Sequence, residues 1–514
     1  MEIQPAFRSK VQTVHLVSLV SSQIWKKYGN QKCNGKLIDD LKLLETEGIE
    51  VEKPVKKIVK AGLQYIIGDN LGQHSLAEMN QVFSSGFVCR WCKAEYGKVC
   101  KEGLVYSDCE DGYHPAEWSV TEYDDLASKA EEEGSGPDTF GIKKHCVFNQ
   151  LLSFHCILQM PPCIGHDFYE GCMSYDLQFY LEFLLNKEKL MSQELFNENL
   201  KKVLLSSRDS KNRPKPFKTR KRNSKYEGNA GSLRVLGRVV PIVLSDVLDE
   251  SQVGNLIVGL TEISELITAP MLTQYEIEMV LHPTILEYLD LRRNAIDQFG
   301  MPTMRPKHHF LSHYSKLFKF QGPLIHLWAM RMESKHQYFK NCIRTSKNFI
   351  NPTKTCAVRH QRAQITHVYN GLFPPKFEVP ANAASVKDLF SMMSSDNLLR
   401  KFMAELSSDT LLPTNIKIFG TKYEPGMILV LRKSGFGVLE VGVLRFISYK
   451  NEKVFFCCTV FEAFQSKHCY YVTSKKSQDF EMMSYDRLGD HYPLHRIGTA
   501  DKFCFSLHHY ISEK

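Results

Sequence analysis

Residues 12–20 read VQTVHLVSL, a run of apolar and β-branched positions that predicts a buried strand. Residues 36–48 switch to the helical period. Leu37, Ile38, Leu41 and Leu44 share one face there, and Gly48 stands where a C-terminal cap belongs. A second strand is predicted over 63–67 (LQYII), ending at Gly68 and Asp69. Residues 127–140 (ASKAEEEGSGPDTF) are acidic and aperiodic and read as an exposed loop, whereas 168–185 read as a largely buried helix. Residues 208–225 hold nine Lys/Arg against one acid, with two prolines, the pattern of a flexible basic loop or linker. Residues 232–300 and 307–350 carry apolar residues at helical spacing. Residues 380–415 are rich in Ser, Asn and Ala, as in a linker with one short helix. After 423 the pattern changes to short alternating strands (MILVL, GVLRFI, KVFFCCTVF, HCYYVTS), which predict a small antiparallel barrel or curled sheet. No internal repeat of fixed period is present.

Composition narrows the class. The chain has 514 residues, 43% hydrophobic and 24% charged, a balance that excludes a mainly disordered, collagen-like or coiled-coil protein. No uncharged apolar run reaches the roughly 18 residues that a membrane span needs, and the N-terminal apolar patch, broken by Arg8, Lys10 and His15, does not read as a secretory signal. Fifteen scattered cysteines fit reduced thiols in a cytosolic or nuclear setting better than a disulfide framework. A net charge of +8 permits a nucleic-acid partner without requiring one.

Five groups of residues carry candidate chemistry. Asp69, at a strand end, is a candidate rigid carboxylate; read alone, it is more often an N-cap or turn residue. Glu333 lies in a predicted helix beside Arg331, Lys335 and His336, where an ion pair or solvated face is the ordinary role. Two such carboxylates converging on one point would bind Mg2+ or Mn2+ and support in-line phosphoryl transfer. Cys89 and Cys92 form a C-x-x-C, a common half of a zinc site. Cys109 and His114 are the nearest second half, with His145/Cys146 and Cys163/His166 as other candidates, and two buried reduced thiols as the plain alternative. His309 and His313 share a helix face but lack the glutamate of a zinc protease, which favours a structural or DNA-facing role. Lys218, Arg220, Lys221 and Arg222, within KTRKR, suit a phosphate-contacting loop or a nuclear-localisation signal, a solvated linker being the alternative.

The blocks FRSKVQTVHLVSLV, LIDDLKLLETEGI, GDNLGQHS, FVCRWC, PPCIGHDFYEG, PKHHFLSHYS and GPLIHLWAMRMESKHQYFK, in this order over about residues 5–365, resemble the CACTA-type (En/Spm-like) DDE transposases and their Kyakuja–Dileera–Zisupton relatives. The resemblance implies an α/β fold. It would comprise a ribonuclease-H-like core, incomplete at the N-terminus, with zinc-binding and large helical insertions, plus a small C-terminal all-β domain. Expected boundaries are 1–125 for the partial sheet with the zinc insertion, 141–365 for the helical insertion and final catalytic helix, 380–422 for a linker and 423–514 for the β-module.

In such a core three acids hold two divalent metals. By resemblance, Asp69 matches the second acid and Glu333 the third, the Cys89/Cys92 element matches the zinc insertion, and Asp167 and Glu170 lie in a matching block without an assigned role. The first acid has no counterpart, since only MEIQPA precedes the FRSK block, and Asp39 and Asp40 fall on an amphipathic helix instead of a central strand. The implied protein is nuclear, binds DNA, carries structural Zn2+ and transfers strands poorly or not at all. Its alternatives are a non-enzymatic chromatin-binding protein or a decayed remnant. Transposases act as multimers, so self-association is a further expectation.

Overall fold

A computed structural model describes residues 10–52, 55–102, 117–206, 209–221, 223–371, 375–390, 397–433, 437–494, 497–498 and 503–512. It mixes helices and sheets in two compact units, each assembled from two stretches of chain: 1–172 with 274–372, and 173–273 with 373–514. No helix among the described residues is long and apolar enough to cross a membrane.

The first unit is mainly helical. Helix Ser22–Thr46 starts on a Ser21 cap and kinks at Gly29. It stops at Gly48, whose φ of 81° suits glycine, and whose N–H returns to the Leu43 carbonyl at 3.0 Å. A side chain there would strike the Val59 carbonyl at 2.7 Å, so this glycine also permits the small hairpin of Ile49–Val51 against Lys57–Val59. The core of the unit gathers Ile38, Met79, Trp118, Tyr123, Phe148 and Phe154.

Three local expectations fail here. Residues 12–20 form no strand. A 3-10 turn at Val11–Thr13 is followed by irregular chain, and the Gln12 carbonyl accepts from Gln364 at 3.1 Å. A strand needs a neighbouring strand for its N–H and C=O groups, and here the segment lies on a helix. Residues 63–67 are likewise unpaired with any strand; Ile66 N–H instead donates to the Gln159 carbonyl at 3.0 Å. Residues 127–133 are not loop but the end of helix Val120–Glu133, because Tyr123, Ala127 and Ala130 make a buried stripe and Ser119 caps the start.

The second unit joins helices Ala230–Val243 and Gly254–Ile267 to an antiparallel sheet. Three long strands, Leu439–Lys450, Lys453–Gln465 and Tyr471–Ser484, form the sheet's centre, with register shifts at Cys457/Cys458 and Thr459/Phe461. It is a bulged, curled sheet; among the described residues no pairing joins its first strand to its last. The 380–415 stretch is not a bare linker. It supplies short strands and the helices Val386–Phe390 and Asn397–Ala404, since Val386, Phe402 and Met403 are buried against Cys457, Phe446 and Phe480.

The basic loop of this unit is also pinned. Phe217 and Tyr226 are buried beside Phe196. Thr219 N–H donates to Gln193, Arg220 N–H to Glu182 and Gln178 to the Lys218 carbonyl.

Glu265 is a buried carboxyl of this unit with Oε1 unpartnered. Burial, resisted by the Arg238 charge and helped by Glu262, pushes it from 4.5 up to about 8. The folded state therefore holds a proton that the unfolded chain releases, and stability from this group falls as pH rises from about 4.5 to about 8. Urea titrations of wild type and Glu265→Gln across that window should converge at low pH, with the variant gaining stability relative to wild type as pH rises.

Candidate metal centre

Residues 86–96 fold into a tight knuckle: Val88 N–H bonds the Ala94 carbonyl at 3.0 Å and Tyr96 N–H bonds Gly86 at 2.8 Å. It presents two buried thiols, Cys89 and Cys92, and Trp91 N–H points at the Cys89 sulfur at 3.4 Å. Opposite stands helix Pro306–Ser312, with proline at its first turn and His313 at its C-cap. The four-residue spacing puts the rings of His309 and His313 on one face, 5.0 Å between centroids.

The four side chains converge. Cys92 Sγ lies 3.2 Å from His309 Nε2 and 3.5 Å from His313 Nε2; Cys89 Sγ lies 3.5 Å from His313 Nε2, and the two Nε2 atoms are 3.3 Å apart. All four ligand atoms fall within 4.8 Å of one another, and all four residues are buried. A tetrahedral ion with sulfur at ~2.3 Å and nitrogen at ~2.05 Å requires S–N edges of about 3.5 Å and an N–N edge of about 3.3 Å. The donor set and its edges therefore fit a metal such as zinc.

The surroundings fit as well. His313 Nδ1 meets Glu117 Oε1 at 3.0 Å, which aims the other ring nitrogen at the thiols. Burial would push Glu117 up, but His313 and Lys316 draw its carboxyl down to about 2. Burial would also raise Cys89; hydrogen bonds from Cys92 and the imidazoles hold it well below the ordinary thiol range, while Cys92 moves the opposite way. A bound cation favours both thiolates at once.

Among the described residues it is His309 and His313 that join Cys89 and Cys92, so the two histidines read above as structural or DNA-facing belong to a set that could hold a metal. Cys109 and His114 lie outside the described residues. Spacing along the chain favoured a nearby second pair, but the helix folds back across more than 200 residues, with separations of 217 to 224. The signal that could have found the site is the four-residue repeat of histidines itself. The other candidate pairs stand outside this cluster: His145 bonds Ser128, and Cys163 and His166 bond each other.

Arg90, between the two thiols, is fully buried with its guanidinium stacked on Trp91 at 3.8 Å. It donates to Asn70 Oδ1 at 2.6 Å, to the Pro161 carbonyl at 3.1 Å and to the Met160 carbonyl at 3.3 Å. Asn70 in turn donates to buried Asp167. Next along, His166 bridges Cys163 Sγ at 3.0 Å and Glu333 Oε1 at 2.5 Å. Hydrogen bonding to Cys163, against the cost of burial and with the Glu333 and Glu170 charges, raises His166 to about 9, so it is an imidazolium at neutral pH.

The segments carrying Asp69 and Glu333 therefore reach the two sides of one dipeptide, His166–Asp167. Asp69 itself ends no strand. It is the exposed N-cap of helix Asn70–Leu76, accepting from Gly72 N–H at 2.7 Å. Glu333 is spent on His166. Neither belongs to any group of three or more metal-ligating side chains among the described residues, so Mg2+ or Mn2+ has no supporting donor set there. Lys218, Arg220 and Lys221 are exposed on the other unit, where Arg220 pairs with Glu227 at 2.7 Å; Arg222 lies outside the described residues.

No family model and no curated protein matches the chain. The chemistry of the site therefore rests on its own geometry. Metal analysis of the purified protein should give about one zinc per chain, the stoichiometry of a closed four-ligand site. Removal by chelator, or Cys92→Ser, should destabilise the first unit by about 4 kcal/mol or more, and the variant should no longer respond to chelator in a thermal melt.

Proposed function

We propose that the chain is a nuclear DNA-binding protein, similar to DDE transposases in ancestry, whose metal-stabilised core no longer transfers DNA strands. The observation that carries DNA binding is the helical hairpin of Met330–Ser346 and Pro352–Tyr369. With Lys347 in the connecting loop it holds eight Lys/Arg against one acid, and no acid occurs between Ser334 and Phe377.

The two helices pack antiparallel. Arg359 donates to the Cys342 carbonyl at 3.1 Å and to Thr345 at 2.7 Å, and the His360 ring lies 5.8 Å from Phe339. Arg331, Lys340, Arg344, Lys347, Lys354 and Arg362 are exposed, and among the described residues none pairs with an acid. Such a surface suits a polyanion and neutralises phosphates without reading bases. The 208–225 loop is the weaker candidate, because Lys215 and Arg220 already share Glu227.

Loss of strand transfer follows from the acids. A two-metal mechanism needs converging carboxylates, whereas Asp69 caps a helix and Glu333 is paired with an imidazolium. The zinc-type centre supports this reading as a structural brace, since four protein ligands leave no open position for a substrate.

Two measurements test the proposal. Anisotropy titrations with duplex DNA should give a slope of log affinity against log salt near roughly −5 if six cations engage, and Lys340→Ala/Arg344→Ala/Lys347→Ala should reduce it by about 3. An unchanged slope would remove the hairpin from the interface. With Mg2+ or Mn2+ present, plasmid nicking by the wild type should not exceed that of Glu333→Ala; activity lost in that variant would restore the enzyme.

A further inference from the structure

The loop joining the two helices of the hairpin carries Phe349 and Ile350 side by side, 73% and 99% exposed. Large apolar side chains so fully in water are a loss unless something covers them. We infer that this tip is a wedge that enters between base pairs of duplex DNA and kinks it, while the flanking cations hold the phosphates. The inference rests on the DNA-binding reading above and adds to it a mode of engagement.

The tip is built, not slack. Lys347 closes the first helix in the left-handed region, at φ 50°. Asn348 N–H reaches Ser346 Oγ at 3.4 Å, Asn348 Oδ1 accepts Ile350 N–H at 3.1 Å, and its amide donates to Thr355 at 3.3 Å. Asn351 caps the second helix, accepting Lys354 N–H at 3.0 Å and the Thr353 hydroxyl at 3.1 Å. Both sides of the tip are thus tied down by polar side chains, and the two apolar residues between them are left pointing at no core. A tip ordered before binding loses little conformational freedom on insertion.

Charge selects the partner. Arg344 and Lys347 precede the tip and Lys354 follows it, all exposed and without acidic partners among the described residues. The occupant must offer negative charge outside and apolar surface within a side chain's reach. Stacked bases between two phosphate strands offer both. Phe and Ile are among the side chains that proteins insert between base steps, producing kinks of about 20–90°. Pyrimidine–purine steps unstack most easily, so TA and CA steps are the preferred points of entry.

The test uses the full chain and a short duplex labelled at both ends for energy transfer, with one central TA step flanked by 2-aminopurine. Wild type should shorten the end-to-end distance and brighten the 2-aminopurine, and both responses should weaken when the step is GC. Phe349→Ala/Ile350→Ala should keep the wild-type salt slope and lose both responses. Its two changes lie on exposed positions, and an unaltered thermal melt verifies the fold. Bending retained by that variant, or wild-type binding that never bends DNA, overturns the wedge while leaving phosphate binding intact. Absence of any binding overturns both readings. Vesicles containing anionic lipid form the last arm: tip-dependent capture there, with DNA left straight, assigns the tip to a membrane and overturns the wedge.

Discussion

Four side chains from two distant parts of the chain meet in a buried space the size of one ion, and the first unit is organised around that meeting. The knuckle of Cys89 and Cys92 buries Val88, Trp91 and Ala94, with Trp91 edge-on to Phe310. Its thiols face His309 and His313, and Arg90 ties it to the rest of the unit. A buried guanidinium is costly unless its donors are met, and Arg90 meets them with Asn70 and the carbonyls of Met160 and Pro161. Through Asn70 the network continues to Asp167 and to its neighbour His166. Segments near residues 70, 90, 160–167 and 310 are therefore constrained together.

The C-x-x-C and the paired histidines were both visible in the sequence. Their pairing with one another was not, because spacing along a chain says nothing about which helix folds back. Gly48 was legible because a left-handed turn leaves a residue-type signature. Residues 12–20 form no strand despite their β-branched composition, because that composition expresses a preference for half-buried surface, which a helix can supply as well as a sheet. Asp69 shows the same limit from the polar side: a carboxylate preceding a short helix and one at a catalytic strand end look alike until the Gly72 N–H is located.

The second unit shows how buried aromatic residues outweigh local composition. Phe217 and Tyr226 bury themselves on either side of KTRKR, so a segment with the charge and proline content of a linker is held against the fold. Phe402 does the same within a Ser-rich stretch. In both cases one or two large apolar residues set the outcome, and averages over a window concealed them. The hairpin of residues 330–369 is the reverse case. Its charge is plain in the sequence, but only the structure leaves the cations unneutralised and the tip bare.

The centre also has a consequence in time. Its thiols leave the ribosome some 220 residues ahead of its imidazoles, an interval of about 10–45 s at ordinary elongation rates of ~5–20 residues per second. Throughout that interval the nascent knuckle owns only half a coordination sphere. A polypeptide terminated between Cys92 and His313 would keep both sulfurs and never acquire the complete donor set.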